Sequence, residues 1–313
     1  MEEKTEMQGI VYALAASPDF ERDGVCFAAC ASGLYRSDDG GLTWRGAYAS
    51  LSLSAPLATT AVAVSPTFSA DRSVFAGAHG AVLRSIDGGQ TWDIVALPSP
   101  PPQVSFLAVS PDFTRDGMVL AATLEDGVFR SADRGGSWRS SSFGLLDLNV
   151  LALAFSPGFA ADGTIFVGTD SGIFRSKNGG LAWREVDFPS EFAPVLSLAL
   201  SPNYDSDGVL FAGTDSCGLF RSGDRGNTWV RLGEGAIAES VNSVLLSPKF
   251  PVESDILVLT GETLLVSRDG GLTWSEWKAD LDLRGVTSVA TPGGLGAGAA
   301  GLLGLLDGRV LRI

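Results

Sequence analysis

The chain reads as an all-β protein, a seven-bladed β-propeller of four-stranded antiparallel blades, on three observations. Tryptophans recur at Trp44, Trp92, Trp138, Trp183, Trp229 and Trp274, spaced 45 to 48 residues apart. A second marker, Ser-Pro followed by x-Phe or x-Tyr, recurs in the same register at Ser17, Ser65, Ser110, Ser156, Ser201 and Ser247. Between the markers, each period holds apolar runs bounded by Gly, Pro, Asp or Ser, the pattern of short strands joined by tight turns. A period of about 40 to 50 residues with four strands marks a propeller, whose blades bury their faces against one another.

The fourth copy shows the order of elements. VLALAFSPGF carries strand A, ADGTIFVGTDSG strand B, IFRSKNGGLAW strand C and the following turn, and REVDFPS strand D. The run Leu151 to Phe155 is almost continuously apolar, which predicts burial of strand A on both faces. The last segment, VTSVATPGGLGAGAAGLLGLLDGRVLRI, follows the pattern through strands A, B and C, with Thr291-Pro292 in the place of Ser-Pro, and stops where the turn would begin. The chain starts where strand D of a preceding blade would start. Residues near Glu3 to Met7 are therefore expected to supply the missing strand, so that the N-terminal strand closes the last blade and leaves no open edge. The blades are expected at approximately 9–52, 57–101, 103–148, 149–192, 194–238, 240–282, and 284–313 plus 1–8, within a single domain 1–313.

Composition narrows the partners. The net charge is −14, from 22 Lys+Arg against 36 Asp+Glu, and no basic cluster is present to grip a phosphate backbone, so nucleic acid is excluded as a partner. The N-terminal MEEKTEMQ has no apolar core, which reads as a cytoplasmic chain without a secretory signal. The most apolar stretch, Gly293 to Leu306, is short and broken by glycines, whereas a membrane helix needs about 20 apolar residues, so no membrane insertion is expected. Three cysteines, Cys26, Cys30 and Cys217, give no disulfide pattern. Cys26 and Cys30 share one face of a strand roughly 13 Å apart and read as small buried hydrophobes. No cofactor and no metal is expected: one histidine without a cysteine cluster makes no zinc site.

The phrase SDDGGLTW, Ser37 to Trp44, returns in altered spelling five more times, ending at Trp92, Trp138, Trp183, Trp229 and Trp274. It reads as the hairpin between strands C and D. The acids Asp39, Asp87, Asp133, Asp224 and Asp269 are expected to accept hydrogen bonds from N–H groups of their own turn, glycines to supply positive φ, and the tryptophans to plug the seams between blades. Asn178 replaces the acid and Ala182 the threonine in the fourth copy. An amide oxygen still accepts those bonds, whereas a catalytic acid or a strong metal ligand would be lost, which favours a structural role. The aspartates Asp23, Asp116, Asp162 and Asp207 after Ser-Pro read as turn residues, because the dense acidic ladder of a calcium loop is missing. Arginine recurs on strand C at Arg36, Arg84, Arg130, Arg175, Arg221 and Arg312, suggesting a structural ion pair or a strand-edge role.

The motif S-x-D-x-G-x-T-W after an apolar run ending in Arg-Ser resembles the Asp-box, or BNR, repeat over essentially the whole chain. Proteins of that kind include sialidases, xyloglucan-cleaving hydrolases, sortilin-type receptors and the photosystem II assembly and stability factor. The resemblance implies that the C–D turns and A–B loops share one rim, and that ligands are met at the opposite rim, built by D–A and B–C loops. A sialidase of this kind needs three arginines for the substrate carboxylate and a tyrosine nucleophile paired with a glutamate. Setting aside the repeated positions leaves Arg284, with Arg231 and Arg309, and of the tyrosines only Tyr48, so that triad is not found. Xyloglucan-type hydrolases are implied to work in a cleft between two propellers, and these residues account for one.

His79, in a B–C loop, has no partner identifiable in the sequence for proton transfer. The B–C loops share one other property: Glu125, Asp126, Asp170, Asp215, Glu262 and Asp307 fall at equivalent places. They read either as solvated turn residues of an acidic protein or as a negative face that docks a basic partner or a cation. Beside them stand the apolar, Ser- and Pro-rich loops Ala47 to Leu57 and Ala96 to Gln103. The sequence thus favours a non-catalytic interaction or assembly scaffold, monomeric by itself, that binds a protein partner with His79 and these carboxylates. A glycan-binding protein or divergent glycosidase is the alternative, and a subunit of a larger regulatory or defence complex a further one.

Overall fold

The computed structural model describes residues 7–98, 100–189, 193–237, 240–261, 263–278, 281, 283–296 and 298–313. It is a seven-bladed β-propeller. Six blades are four-stranded antiparallel sheets in sequence order, as in Val11–Ala16, Cys26–Cys30, Gly33–Ser37 and Arg45–Gly46 of the first. The fourth is Val150–Phe155, Ile165–Thr169, Ile173–Ser176 and Arg184–Glu185, and the strands of each blade are called A to D in that order. The seventh shows three strands among the described residues, Val286–Ala290, Leu302–Leu305 and Val310–Arg312. The expected closing strand falls mostly on residues 1–6, outside the described residues. Met7 packs against the same cluster as Val310, and a Cβ on Gly308 would lie 2.9 Å from the Met7 carbonyl.

Strand A is not buried on both faces. In Val150–Phe155 buried and half-buried residues mix, whereas strand B is buried throughout, as in Cys26–Cys30, Ile165–Thr169 and Ile256–Thr260. Strand A lies at one edge of its sheet, whereas B is flanked by A and C and so is enclosed along both edges. Outermost strands are brief: Arg45–Gly46, Arg139–Ser140, Arg184–Glu185 and Ser275–Glu276 have two residues each.

In five blades the A–B connection holds a turn of helix rather than a plain loop: Phe20–Asp23, Phe68–Asp71, Phe113–Asp116, Phe159–Asp162 and Tyr204–Asp207. Each opens on the marker aromatic, which is buried. The marker serine closes the turn. Ser17 Oγ donates to Asp23 Oδ2 at 2.7 Å and accepts from the Asp19 N–H at 3.1 Å, while Asp23 Oδ1 accepts from the Val25 N–H at 2.9 Å. Ser110 with Asp116, Ser156 with Asp162 and Ser201 with Asp207 repeat the serine-to-carboxylate bond at 2.5 to 2.7 Å.

The chain divides into two compact units, Met1–Ala121 with Phe129–Ser140 and Gly285–Ile313, and Ala122–Val128 with Ser141–Arg284. Within the first, two helix aromatics meet strand B of the preceding blade edge-on, Phe68 against Phe27 at 6.5 Å between centroids and Phe113 against Phe75 at 5.8 Å, and Phe20 packs with Leu302. Such pairs add about 0.5–1.5 kcal/mol beyond the area they bury. Thr60 Oγ1 donates to Val104 O, and Thr287 Oγ1 to Val11 O, both at 2.6 Å, which ties the seventh blade to the first. Within the second unit, Tyr204 meets Phe166 at 6.1 Å and Phe250 meets Phe211 at 5.8 Å. Ser197 Oγ donates to Val241 O at 3.0 Å, and Arg175 crosses to the next blade's turn, donating to Arg225 O at 2.7 Å.

Candidate functional site

The repeated C–D turn is built on one plan in the six blades that carry it. In the first, Asp39 Oδ1 accepts from the Leu42 and Thr43 N–H groups at 3.0 and 2.9 Å and Oδ2 from the Thr43 hydroxyl at 2.6 Å. Ser37 Oγ donates to Asp39 at 2.7 Å and accepts from the Gly41 N–H at 2.9 Å. The Gly41 conformation, φ +87°, favours glycine. Asp87, Asp133, Asp224 and Asp269 accept the corresponding bonds, and Asn178 Oδ1 still accepts from the Ala182 N–H at 3.0 Å.

These donors favour the ionised carboxylate. The Thr43, Thr228 and Thr273 hydroxyls, followed by the same residues' N–H groups, pull Asp39, Asp224 and Asp269 down to about 2. At Asp87 and Asp133 partial desolvation pushes upward but is outweighed by the hydroxyl and backbone donors, and they too fall to about 2. A carboxylate whose folded pKa lies below its unfolded one stabilises the fold above the unfolded pKa and loses that contribution as pH falls through the folded one. The urea midpoint is therefore expected to drop between about pH 4 and pH 2, less steeply in Asp87→Asn, with circular dichroism as the readout. A midpoint flat over that range would contradict the geometry.

The tryptophans sit between neighbouring blades. Trp92 is buried in a cluster with Phe27, Leu34 and Val74, and Trp138 in one with Ala61, Phe75 and Val119. Trp229 and Trp274 pack in the same way within the second unit, and Trp44 packs with Cys26 and Leu302. The indole N–H of Trp44, Trp92 and Trp274 donates to a glycine carbonyl of its own turn at 3.1 to 3.2 Å. Trp183 departs from this. Its indole N–H donates to Ser141 O at 2.7 Å, and its backbone N–H to Phe143 O at 2.9 Å.

Away from these turns, the B–C turns and D–A loops meet at the opposite end of each blade. His79 is exposed and forms a bridge with Gln103; the adjoining Gly80 bonds Leu97 and Pro102 of the proline-rich loop. Asp307 is held by Arg309, whose guanidinium donates to it at 2.7 Å. The Arg309 N–H, then the guanidinium, keep the Asp307 pKa below the usual carboxylate range.

In the second unit, Asn149 links two of the acidic turns: its Oδ1 accepts from the Glu125 N–H and its Nδ2 donates to Asp170 Oδ2, both at 2.8 Å. Asp147 accepts from Asn149 N at 3.0 Å and Ser171 N at 2.8 Å. Asp126 is half-buried beside this network, and the Asp215 N–H bonds Pro194 O at 2.9 Å. Glu125, Asp170 and Asp215 remain exposed. Glu262 lies outside the described residues. Among the described residues, no group of three or more His, Cys, Asp or Glu is placed to hold a metal ion.

Two features escaped the sequence reading. Tyr48, the tyrosine left over for the ligand rim, is turned inward: its ring meets Trp92 edge-on at 5.5 Å, its hydroxyl bonds Thr59 Oγ1 at 3.0 Å, and burial pushes its phenol up. A recess of about 350 Å³ lies in the fourth blade, lined by Ser171, Gly172, Glu185, Val186, Asp187 and Phe188. The only signal for it in sequence is the run EVDF, which begins in strand D and whose alternating acids have no counterpart in the other copies.

The chain is thus a propeller whose regular end is bound up in its own turns. No protein-family model matches the chain, and no curated protein matches it. Solved structures do. The GH74 xyloglucanase from Xanthomonas campestris superposes with a TM-score of 0.77 at 18% identity over 99% of this chain and 53% of that one. YCF48 bound to D1 peptide gives 0.70 at 18% identity, over 98% of this chain and 93% of that one. YCF48 from Cyanidioschyzon merolae gives 0.68 at 14%, over 98% and 96%. The chain spans about half the length of the xyloglucanase. At these identities the likeness establishes the propeller fold and nothing finer.

Proposed function

We propose that the chain is a non-catalytic interaction or assembly scaffold of Asp-box type that binds a protein partner through the end built by its B–C turns and D–A loops. The observation that carries this is a division of labour among the acids. The turn carboxylates Asp39, Asp87, Asp133, Asp224 and Asp269 are spent on their own N–H and hydroxyl groups, while Glu125, Asp170 and Asp215 are exposed. Exposed carboxylates in a chain of net charge −14 steer and orient a basic partner. A propeller of the same fold is known with a peptide bound, YCF48 with its D1 peptide, which supports a protein ligand here. The double variant Asp170→Lys with Asp215→Lys is expected to lose partner capture from the native host, read by affinity purification and mass spectrometry, with the thermal midpoint unchanged. Undiminished capture would sink the proposed face.

The second reading is a glycan-directed protein, and the recess favours it: two carboxylates, Glu185 and Asp187, stand beside the Ser171 residue and the aromatic Phe188, groups that suit hydroxyl-rich ligands. Its likeness to GH74 propellers is of fold. A glycan array together with aryl-glycoside and sialoside substrates tests it, and silence on all of them retires it.

A further inference from the structure

We propose that the outer edge of the fourth blade takes up an extended segment of a partner protein, alternating basic and apolar side chains, as an added fifth strand. The inference rests on the scaffold reading above and names the chemistry of the partner.

Backbone alternation sets the edge. The Val186 N–H donates inward to Ile173 O at 2.8 Å, so the N–H and C=O groups of Glu185 and Asp187 point outward, away from strand C. The preceding outward residue, Trp183, is covered: its N–H bonds Phe143 O on the loop of residues 142–149. Beyond that point the edge is bare, since among the described residues no backbone group pairs with Glu185 or Asp187 on that side. Unpaired strand edges are templates for another strand.

Side-chain parity decides what the added strand would meet. Val186 is buried, and Phe188 packs edge-on against Phe220 and Trp229 of the fifth blade at 5.0 and 5.1 Å. Glu185 and Asp187, of opposite parity, turn to the other face, on the side of the 142–149 loop. That loop exposes Phe143 and Leu146, each at 79%, and carries Asp147 bonded to Ser171 at the head of the recess. Basic side chains of the incoming segment would lie on that face, their heads answering Glu185 and Asp187 and their aliphatic stems covering Phe143 and Leu146, while the alternate apolar ones would turn to the face of Val186 and Phe188. A second copy of this chain is a poor occupant, because its own charge of −14 opposes approach.

The test uses fluorescence anisotropy with three labelled octapeptides: alternating Lys-Val, alternating Glu-Val, and Lys-Val N-methylated at every second residue. The Lys-Val peptide is expected to bind, and both N-methylation and the Glu-Val sequence to weaken binding at least about tenfold. Asp187→Pro removes the outward N–H together with the carboxylate and is expected to weaken Lys-Val binding at least to the same extent, as is the pair Phe143→Ser with Leu146→Ser; Asp187→Asn, which keeps the N–H, separates the two contributions. No binding of Lys-Val, or equal binding of its N-methylated form, overturns the added strand; the methylated peptide decides even if a variant fails to fold. Native capture that depends on Asp170 and Asp215 with no Lys-Val binding leaves the scaffold standing and removes only the edge. Lys-Val binding without native capture does the reverse.

Discussion

Trp183→Ala is expected to destabilise the protein by about 3–5 kcal/mol, the range for deleting a large buried aromatic. Trp183 is only 3% exposed, and its indole N–H and backbone N–H both bond residues of the preceding blade, Ser141 and Phe143. The substitution removes the plug and leaves the Ser141 carbonyl without its indole donor, so packing and hydrogen bonding are lost together. Trp183→Phe keeps most of the volume and separates the two contributions. Leu181→Ala in the same turn is the control: Leu181 is 57% exposed, and its loss is expected to stay within about 0.5 kcal/mol. Urea unfolding at constant m-value measures all three. A Trp183→Ala cost comparable to that of Leu181→Ala would mean that the seam does not rest on this ring.

Gly168→Ala is expected to cost about 1–3 kcal/mol although it adds one methyl group. The backbone at Gly168 has an ordinary negative φ, so the requirement for glycine is one of space. A Cβ there would lie 2.6 Å from the Val195 carbonyl oxygen, the first residue of the next blade's strand A. A carbonyl within a paired strand cannot swing away as a flexible side chain can. Gly77 and Gly304 likewise face Val104 and Val11, though there an added Cβ would meet the valine side chain rather than a carbonyl, so a close approach recurs within the first unit as well. Thermal unfolding of Gly168→Ala beside Gly172→Ala, where an added Cβ meets nothing within 4 Å but φ is +148°, distinguishes steric from conformational cost. Unchanged stability in Gly168→Ala would show that the two strands can part without penalty.

The propeller was legible because its signals are local and repeated. A box needs only Ser37, Asp39, Gly41, Thr43 and Trp44 in line, and the bonds of Ser37 and Asp39 that shape it run within eight consecutive residues. The marker aromatic was equally visible as a letter, but its role was not: Phe68 and Tyr204 work by meeting Phe27 and Phe166 some forty residues away. The candidate site was hardest to read. In FGLLDLN nothing in composition separates buried Leu145 from Phe143 and Leu146, which lie open to solvent. That sorting is fixed by the bond from Trp183 to the Phe143 carbonyl. Tyr48 misled for the same reason, since only Trp92 and Thr59, from the following repeat, reveal that its ring is turned inward.

The two-residue outermost strands have a consequence for behaviour at high concentration. A row of open amides invites foreign chains to zip on and seed filaments, yet Arg45–Gly46, Arg139–Ser140 and Arg184–Glu185 each offer only a rung or two, guarded by a cation. So little ladder can hold a visitor on backbone bonds alone. Whatever settles there must be chosen by its side chains, and indiscriminate self-stacking is refused by brevity.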